Sequence, residues 1–503
     1  MSEIAKATEV LIVGGGSAGA VLAARLSEDP TRSVLLLEAG PAYAPDAYPV
    51  ELLNANVVAD PAHDWGYTSR GNATSPQVPT PRGKVLGGSS AVNAAVAIRA
   101  RATDLAKWAG YGVDGWSYDD VLPTFKQMEN TPTGDDAYHG RTGPLSVRQR
   151  SDEELTPSLL GFVEASVAHG FKRVHDFNGT EQNGADAYPV DVVDGVRQST
   201  ALAYLTTAVR ARPNLTIRGD VNVDRVLFDR GRAVGVSAAD GTIYRAGEVI
   251  LSGGAYGSPA ILLRSGVGPA ADLRSIGIEV VADLPVGQRL HDQPFFYNAY
   301  ALAPEYLQMT PAVGALLWTA SSEAIGDELD LHITATHLLD GSHSPTGGAI
   351  VLAISVVQPE SRGTLRLASR DPNAAPLIDN NYLGTDRDAR RMLEGVKLSR
   401  AIGRNEVFAP LSAGEMIPGD AITDDALPEV IAGNLAAYGH PTSTVPMGGP
   451  GNPSAVVDAV GAVNGLAGLR VADASIIPEI PSTVTNLTTI MVAERIYQRV
   501  YAR

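Results

Sequence analysis

Apolar residues recur along the chain with spacings that change from one segment to the next, and each spacing predicts its own element. Residues 9–13 form a short apolar run ending in glycines, residues 18–26 carry apolar side chains at helical intervals, and residues 33–37 form a second apolar run ending in Glu38. A strand, a helix and a strand are predicted in that order. Short β runs follow at 214–217, 225–228, 233–237 and 248–251, the last leading into Gly253–Pro259 and a helix. Ser117 with Asp120 has the spacing of a capping box ahead of 121–128, and a helical pattern over 155–169 stops at Gly170. Residues 60–100 are rich in Pro and Gly and read as loop.

From residue 291 to about 365 the pattern becomes that of a sheet. Leu329, Leu331, Ile333 and Ala335 alternate with Asp330, His332, Thr334 and Thr336, which predicts a half-buried strand with one polar face. A second β run covers 350–357, a helix covers 386–402, the chain returns to the first pattern at 469–473, and an amphipathic helix is expected from Asn486 to Tyr501. The predicted fold class is α/β (α+β overall). A Rossmann-type domain comprises 1–154, 198–290 and 441–503, and a discontinuous substrate domain of 155–197 and 291–440 is built on an antiparallel sheet flanked by helices.

Composition narrows what this architecture can serve. A chain of 503 residues, 44% hydrophobic, buries enough surface for two or three cooperative units. With 39 basic against 56 acidic residues the net charge is -17, so neither nucleic acid nor an anionic membrane is an expected partner. A small molecule is, for a monomer or homodimer. The absence of cysteine excludes disulfides, thiolate metal sites, cysteine nucleophiles and a cysteinyl link to a cofactor. His, Asp and Glu show no ligand-like clustering, so no metal is expected. The first residues lack the pattern of a signal peptide and no run approaches eighteen apolar residues, so the expected location is cytoplasmic.

Gly14-Gly15-Gly16-Ser17-Ala18-Gly19 satisfies G-x-G-x-x-G between a predicted strand and helix, the context in which that spacing binds a dinucleotide. Gly14 allows the tight turn, Gly16 the approach of backbone to pyrophosphate, and Gly19 the packing of helix on strand. The helix start offers N–H donors to anionic oxygens, and Glu38 would accept from ribose hydroxyls. The loop alone does not separate FAD from NAD.

Other segments decide that point by resemblance. Gly83-Lys84-Val85-Leu86-Gly87-Gly88-Ser89-Ser90-Ala91-Val92-Asn93, Gly254-Ala255-Tyr256-Gly257-Ser258-Pro259 through Gly268, Ser361-Arg362-Gly363 with Asp371-Pro372, and Leu469 through Ser475 occur in the order found in the glucose-methanol-choline (GMC) oxidoreductases. The sequence resembles that family along nearly its whole length. The resemblance implies FAD, with Gly87, Gly88, Ser89 and Asn93 around the flavin and ribityl, Val223 near the adenine, and Asp473 near the phosphates or ribityl. It extends the cofactor set to Ser17, Ala18, Ala39, Ala94, Ala95, Val96, Gly254, Ala474 and Thr485. Some members attach flavin to a histidine in the first of these segments; Ser90, Ala91 and Val92 offer no such group, so dissociable FAD is expected.

An alcohol oxidase needs a base for the hydroxyl proton while hydride passes to flavin N5, and histidine suits that task. His440, in Tyr438-Gly439-His440-Pro441-Thr442, matches the family's catalytic histidine segment. The family's second polar partner falls at Val484, which cannot bond a substrate oxygen. Asn486 matches a later asparagine of the same segment and also fits the cap of the last helix. His332 with Thr334, and His291 with Asp292 near the family's substrate entrance, read as surface or structural groups. The expected reaction is oxidation of a small primary alcohol to its aldehyde with O2 reduced to H2O2. The branch most resembled, that of pyridoxine 4-oxidase and hydroxymethylfurfural oxidase, implies a hydroxymethyl group on an aromatic ring. Open alternatives are a dehydrogenase using a quinone or other acceptor, and a non-redox lyase of the hydroxynitrile type.

Overall fold

The computed structural model describes residues 8–72 and 75–502. Its first sheet is parallel at the centre. Thr8–Val13 lies between Val34–Leu37 and the end of Ile243–Leu251; Leu215–Arg218 and Leu469–Val471 add the outer strands, all parallel. Val10, Leu11 and Ile12 are all buried, as required of a parallel strand covered on both faces. Val223–Asp229 and Arg232–Ala238 extend antiparallel from the start of Ile243–Leu251.

The helix Gly19–Leu26 returns the chain between the first two strands and packs on the C-terminal helix Asn486–Val500. Arg25 and Glu494 join them at 2.8 Å. The expected amphipathic character of the last helix is overturned in its first half, where residues 487–494 are buried on every side. That half is enclosed by Gly19–Leu26 and Tyr118–Met128, so it has no solvent face to make polar. The capping box at Ser117 and Asp120 forms as expected.

The second sheet is antiparallel throughout, in the order Ser412–Ile417, Pro294–Leu302, Ala349–Val356, Leu331–Thr336, Val313–Thr319, Gly184–Ala187, with Leu435–Ala437 also pairing Pro294–Leu302. A Rossmann-type sheet beside an antiparallel sheet flanked by helices is the fold class predicted. The helices Pro157–Ala168 and Asp386–Gly403 cover one face, which carries Leu331, Ile333, Ala335, Ile350, Leu352 and Ile354. Burial of each such Leu or Ile contributes about 1.5–3 kcal/mol. The strand Leu331–Thr336 is buried at all six positions, which corrects the half-buried expectation. Its polar face meets a cavity and other side chains instead of solvent, so alternation persists without exposure. Among the described residues, no helix is long and apolar enough to cross a membrane.

Candidate active site

A cavity of about 430 Å³ lies between the two sheets, running from the Gly14 loop to His440. Gly14 has φ +95°, and a Cβ there would stand 2.5 Å from Ser252 O. A Cβ on Gly19 would overlap Gly14 O. On Gly16 it would meet only Gly88 Cα, at 3.6 Å. The first and third glycines are therefore demanded by the fold, whereas the second leaves its backbone open beside the cavity. The helix that follows starts at Ala18 without a side-chain cap, leaving donors for an anion.

Glu38 ends the second strand, 5% exposed, and accepts from Gly15 N–H at 2.7 Å and Gly40 N–H at 2.9 Å. Burial raises its pKa to about 7 against these bonds. Asp473 accepts from Gly254 N–H at 2.8 Å, from Ser258 Oγ at 2.5 Å, and from Ser475 through N–H and Oγ. It ties the returning strand to the start of the helix Gly254–Arg264, and burial pushes its pKa up. Asn486 does not cap the final helix. It is the first helical residue, and its Oδ1 accepts from Ser17 Oγ at 2.8 Å, joining the end of the chain to the glycine loop.

His440 stands at the other end of the cavity, on a segment held by residues 291–293. His291 and Thr442 exchange backbone bonds at 3.1 and 2.8 Å, and Tyr438 N–H donates to Gln293 O at 3.0 Å. Asp292 accepts the His440 N–H at 2.7 Å and the Tyr382 hydroxyl at 2.7 Å. His440 Nδ1 lies 2.6 Å from Gln293 Oε1. Burial, then Arg82 and His332, hold the His440 pKa well below the usual imidazole range, so its ring is neutral at ordinary pH. The wall around it is aromatic. Tyr438 packs on His440 with ring centroids 4.2 Å apart and stacks on Phe295 at 3.8 Å; Tyr297 continues outward.

The cavity gathers most of the residues chosen from sequence: Gly14, Gly16, Ser17, Ala18, Glu38, Ala39, Gly88, Ser89, Asn93, Ala94, Val96, Val223, Gly254, Asp473, Ala474, Thr485, Asn486, Val484 and His440 line it. Gly19, Gly87 and Ala95 lie behind the wall. Gly87, at φ +103°, supports the turn by donating to Gly15 O at 2.8 Å, and Ala95 is fully buried. His291 and Asp292 are buried struts of the His440 segment, not an entrance. His332 is buried, not at the surface, against Trp318 and Tyr438. Gln293, Tyr188, Phe295 and Tyr297 went unseen in the sequence; distant strand pairing brings them here.

With a dinucleotide loop and a neutral imidazole sharing one cavity, comparison with known proteins becomes informative. Residues 8–295 and 359–493 match the two sequence profiles of the GMC oxidoreductases. The chain belongs to the GMC oxidoreductase family. Like its relatives it is an FAD-dependent oxidoreductase acting on CH–OH groups. It is 38% identical to an oxygen-dependent choline dehydrogenase of Stenotrophomonas maltophilia, over 97% of this chain and 94% of the other. It is 36% identical to mitochondrial choline dehydrogenase of Mus musculus, over 96% and 88%. Among solved structures, pyridoxine 4-oxidase from Mesorbium loti superposes with a TM-score of 0.90 at 30% identity, covering 99% of each chain.

The residues present fit FAD. The uncapped helix start and the open backbone at Gly16 suit a pyrophosphate, Glu38 a ribose, and the length of the cavity spans from there to His440.

Proposed function

We propose that this enzyme oxidises a primary alcohol carried on an aromatic or heteroaromatic ring to its aldehyde, using dissociable FAD and O2. The observation that carries this reading is the wall around His440. Tyr438, Phe295, Tyr297 and Tyr188 supply ring faces, and Val313, Val484 and Leu338 supply apolar surface. A flat substrate ring gains offset or edge-to-face contacts with such a wall. The carboxylates on the described lining, Glu38 and Asp473, belong to the glycine-loop side; at the His440 end Arg82 acts on the ring, and the Asp292 carboxylate lies behind the lining, bonded to the His440 N–H and the Tyr382 hydroxyl. A neutral alcohol suits this end better than a quaternary ammonium ion, although aromatic faces would attract one.

Bound FAD supplies a two-electron acceptor that takes hydride from the carbinol carbon and is reoxidised by O2 to yield H2O2. The chain's own part is proton chemistry and positioning. His440 receives the hydroxyl proton, and the rings of Tyr438, Phe295 and Tyr188 line the space beside it. Val484 contributes no bond to the substrate oxygen, so His440 carries the proton chemistry without a second polar side chain at that position. Non-covalent retention rests on the lack of cysteine and on His440 being the one histidine among the described lining residues.

Anaerobic flavin reduction, followed by absorbance, tests the reading. Hydroxymethyl-substituted aromatic rings should reduce the flavin faster than choline at equal concentration, and His440→Ala should abolish the reaction. Faster reduction by choline would replace the substrate class, and no reduction by any alcohol would favour a lyase. Under air, about one H2O2 per aldehyde is expected; aldehyde formed only with an added quinone or dye would replace O2 as acceptor.

A further inference from the structure

Gln293 is fully buried, and both ends of its carboxamide are engaged. Nε2 donates to Val357 O at 2.7 Å and Pro481 O at 3.0 Å, with Thr483 O at 3.4 Å. Oε1 faces His440 Nδ1 at 2.6 Å. Turning the amide over would set its oxygen against these carbonyl oxygens and leave their lone pairs without donors, so the surroundings select one orientation. In that orientation Oε1 can only accept. His440 Nδ1 must then carry the proton, and Nε2, which no described residue engages, holds a free lone pair.

We propose that Gln293 is a positioning residue of the oxidation: it locks His440 into the Nδ1–H tautomer and makes Nε2 the atom that receives the substrate proton. The inference rests on the reading of His440 as base. As the substrate O–H bond breaks, an Nε2–H bond forms, and the carbinol hydride leaves with its electron pair to the cofactor. Nδ1–H stays bonded to Oε1, which steadies the imidazolium. Gln293 also fixes the ring through its backbone, because its carbonyl accepts from Tyr438 N–H. The other ionisable groups packed around His440 are Arg82 from the loop before Gly83, His332 from the second sheet, Asp292 beside Gln293, and Tyr438 on its own segment.

Two measurements on the FAD-loaded enzyme test the proposal. The first is nitrogen NMR of the 15N-histidine-labelled protein, with the His440 signal assigned by its loss in His440→Asn. Nδ1 protonated and Nε2 bare is expected; the reverse would overturn the proposal. The second is stopped-flow flavin reduction. Gln293→Leu should lower the limiting rate by about 10- to 100-fold, by analogy with the loss of the partner that orients a metal-binding histidine, with little change in half-saturation. Gln293→Glu keeps an acceptor at Nδ1, and its second oxygen, set against the carbonyls of Val357, Pro481 and Thr483, holds a proton to donate to them, so this variant should keep most of the wild-type rate. An unchanged rate in Gln293→Leu, or loss of most of the rate in Gln293→Glu, would overturn the assignment. Should Gln293→Leu fail to fold, the NMR state and Gln293→Glu decide alone. Wild-type reduction by His440→Ala would instead remove the base reading and leave the tautomer result standing.

Discussion

Two glycines of one loop should fail in different ways, which separates the fold's demand from the cofactor's. In Gly19→Ala the new methyl would overlap Gly14 O and approach Gly14 C to 3.0 Å and Ser252 Cβ to 3.2 Å. Relief to ordinary contact needs a shift of more than about 1 Å. The obstacle is backbone, which cannot rotate aside as a side chain can, so the helix Gly19–Leu26 must slide against its strand. Overpacking of this kind costs about 1–3 kcal/mol or more. At roughly 2–4 °C per kcal/mol for units of 150–250 residues, the cofactor-free protein should melt about 2–12 °C lower. In Gly16→Ala the nearest atom is Gly88 Cα at 3.6 Å, an ordinary contact, so the cofactor-free protein should melt within about a degree of wild type. Its FAD affinity should nevertheless fall, because the added methyl stands where backbone must approach pyrophosphate. The assay is thermal melting of stripped protein at a fixed scan rate, alongside FAD titration by flavin fluorescence. Equal loss of melting temperature in the two variants, or none in Gly19→Ala, would refute the reasoning.

Other substitutions probe the rest of the frame. Val484→Asn would place a donor in the wall beside His440 and should raise the rate of flavin reduction by up to about tenfold, the worth of one hydrogen bond; a slower reaction in stopped flow would show that the apolar surface of Val484 is what the substrate uses. Arg391 is fully buried between Asp330, at 3.1 Å, and Asp388. Arg391→Leu strands those carboxylates and should destabilise the protein by about 3–5 kcal/mol in a denaturant titration; a loss under 1 kcal/mol would contradict this. The pKa of Glu38 is raised by burial to about 7, so the folded state holds a proton that the unfolded chain releases near pH 4.5. The stability linked to that proton is fully present below pH 4.5 and is lost as pH rises to about 7. In cofactor-free protein Glu38→Gln should flatten the fall of melting temperature over this window; identical slopes would rule out the linkage.

The parts of the molecule legible in its sequence are those whose partners are near in the chain. The strand, loop and helix around Gly14–Gly19 are neighbours, and Glu38 reaches Gly15 across only 23 residues. His440 was legible because its segment resembles a family motif. The environment of His440 was not, since Gln293 meets it across 147 residues and Asp292 across 148. Asn486 shows the same limit. Locally it suits a helix cap, but its partner is Ser17, 469 residues away. For Leu331–Thr336 alternation correctly separated the two faces and misjudged exposure, because a polar face turned to a cavity has the same pattern as one turned to water.

By itself the sequence determined the family and the cofactor class, and singled out His440 as the ring proposed as base. The dinucleotide loop rests on short-range spacing, whereas the family, FAD and the choice of His440 rest on resemblance to the motifs of the GMC oxidoreductases. Tertiary structure decided which nitrogen of that ring is free, what surrounds it, and which glycines the fold cannot replace. The first two depend on atoms brought within about 3 Å of each other from segments 147 residues apart in the chain, a proximity that local pattern does not encode.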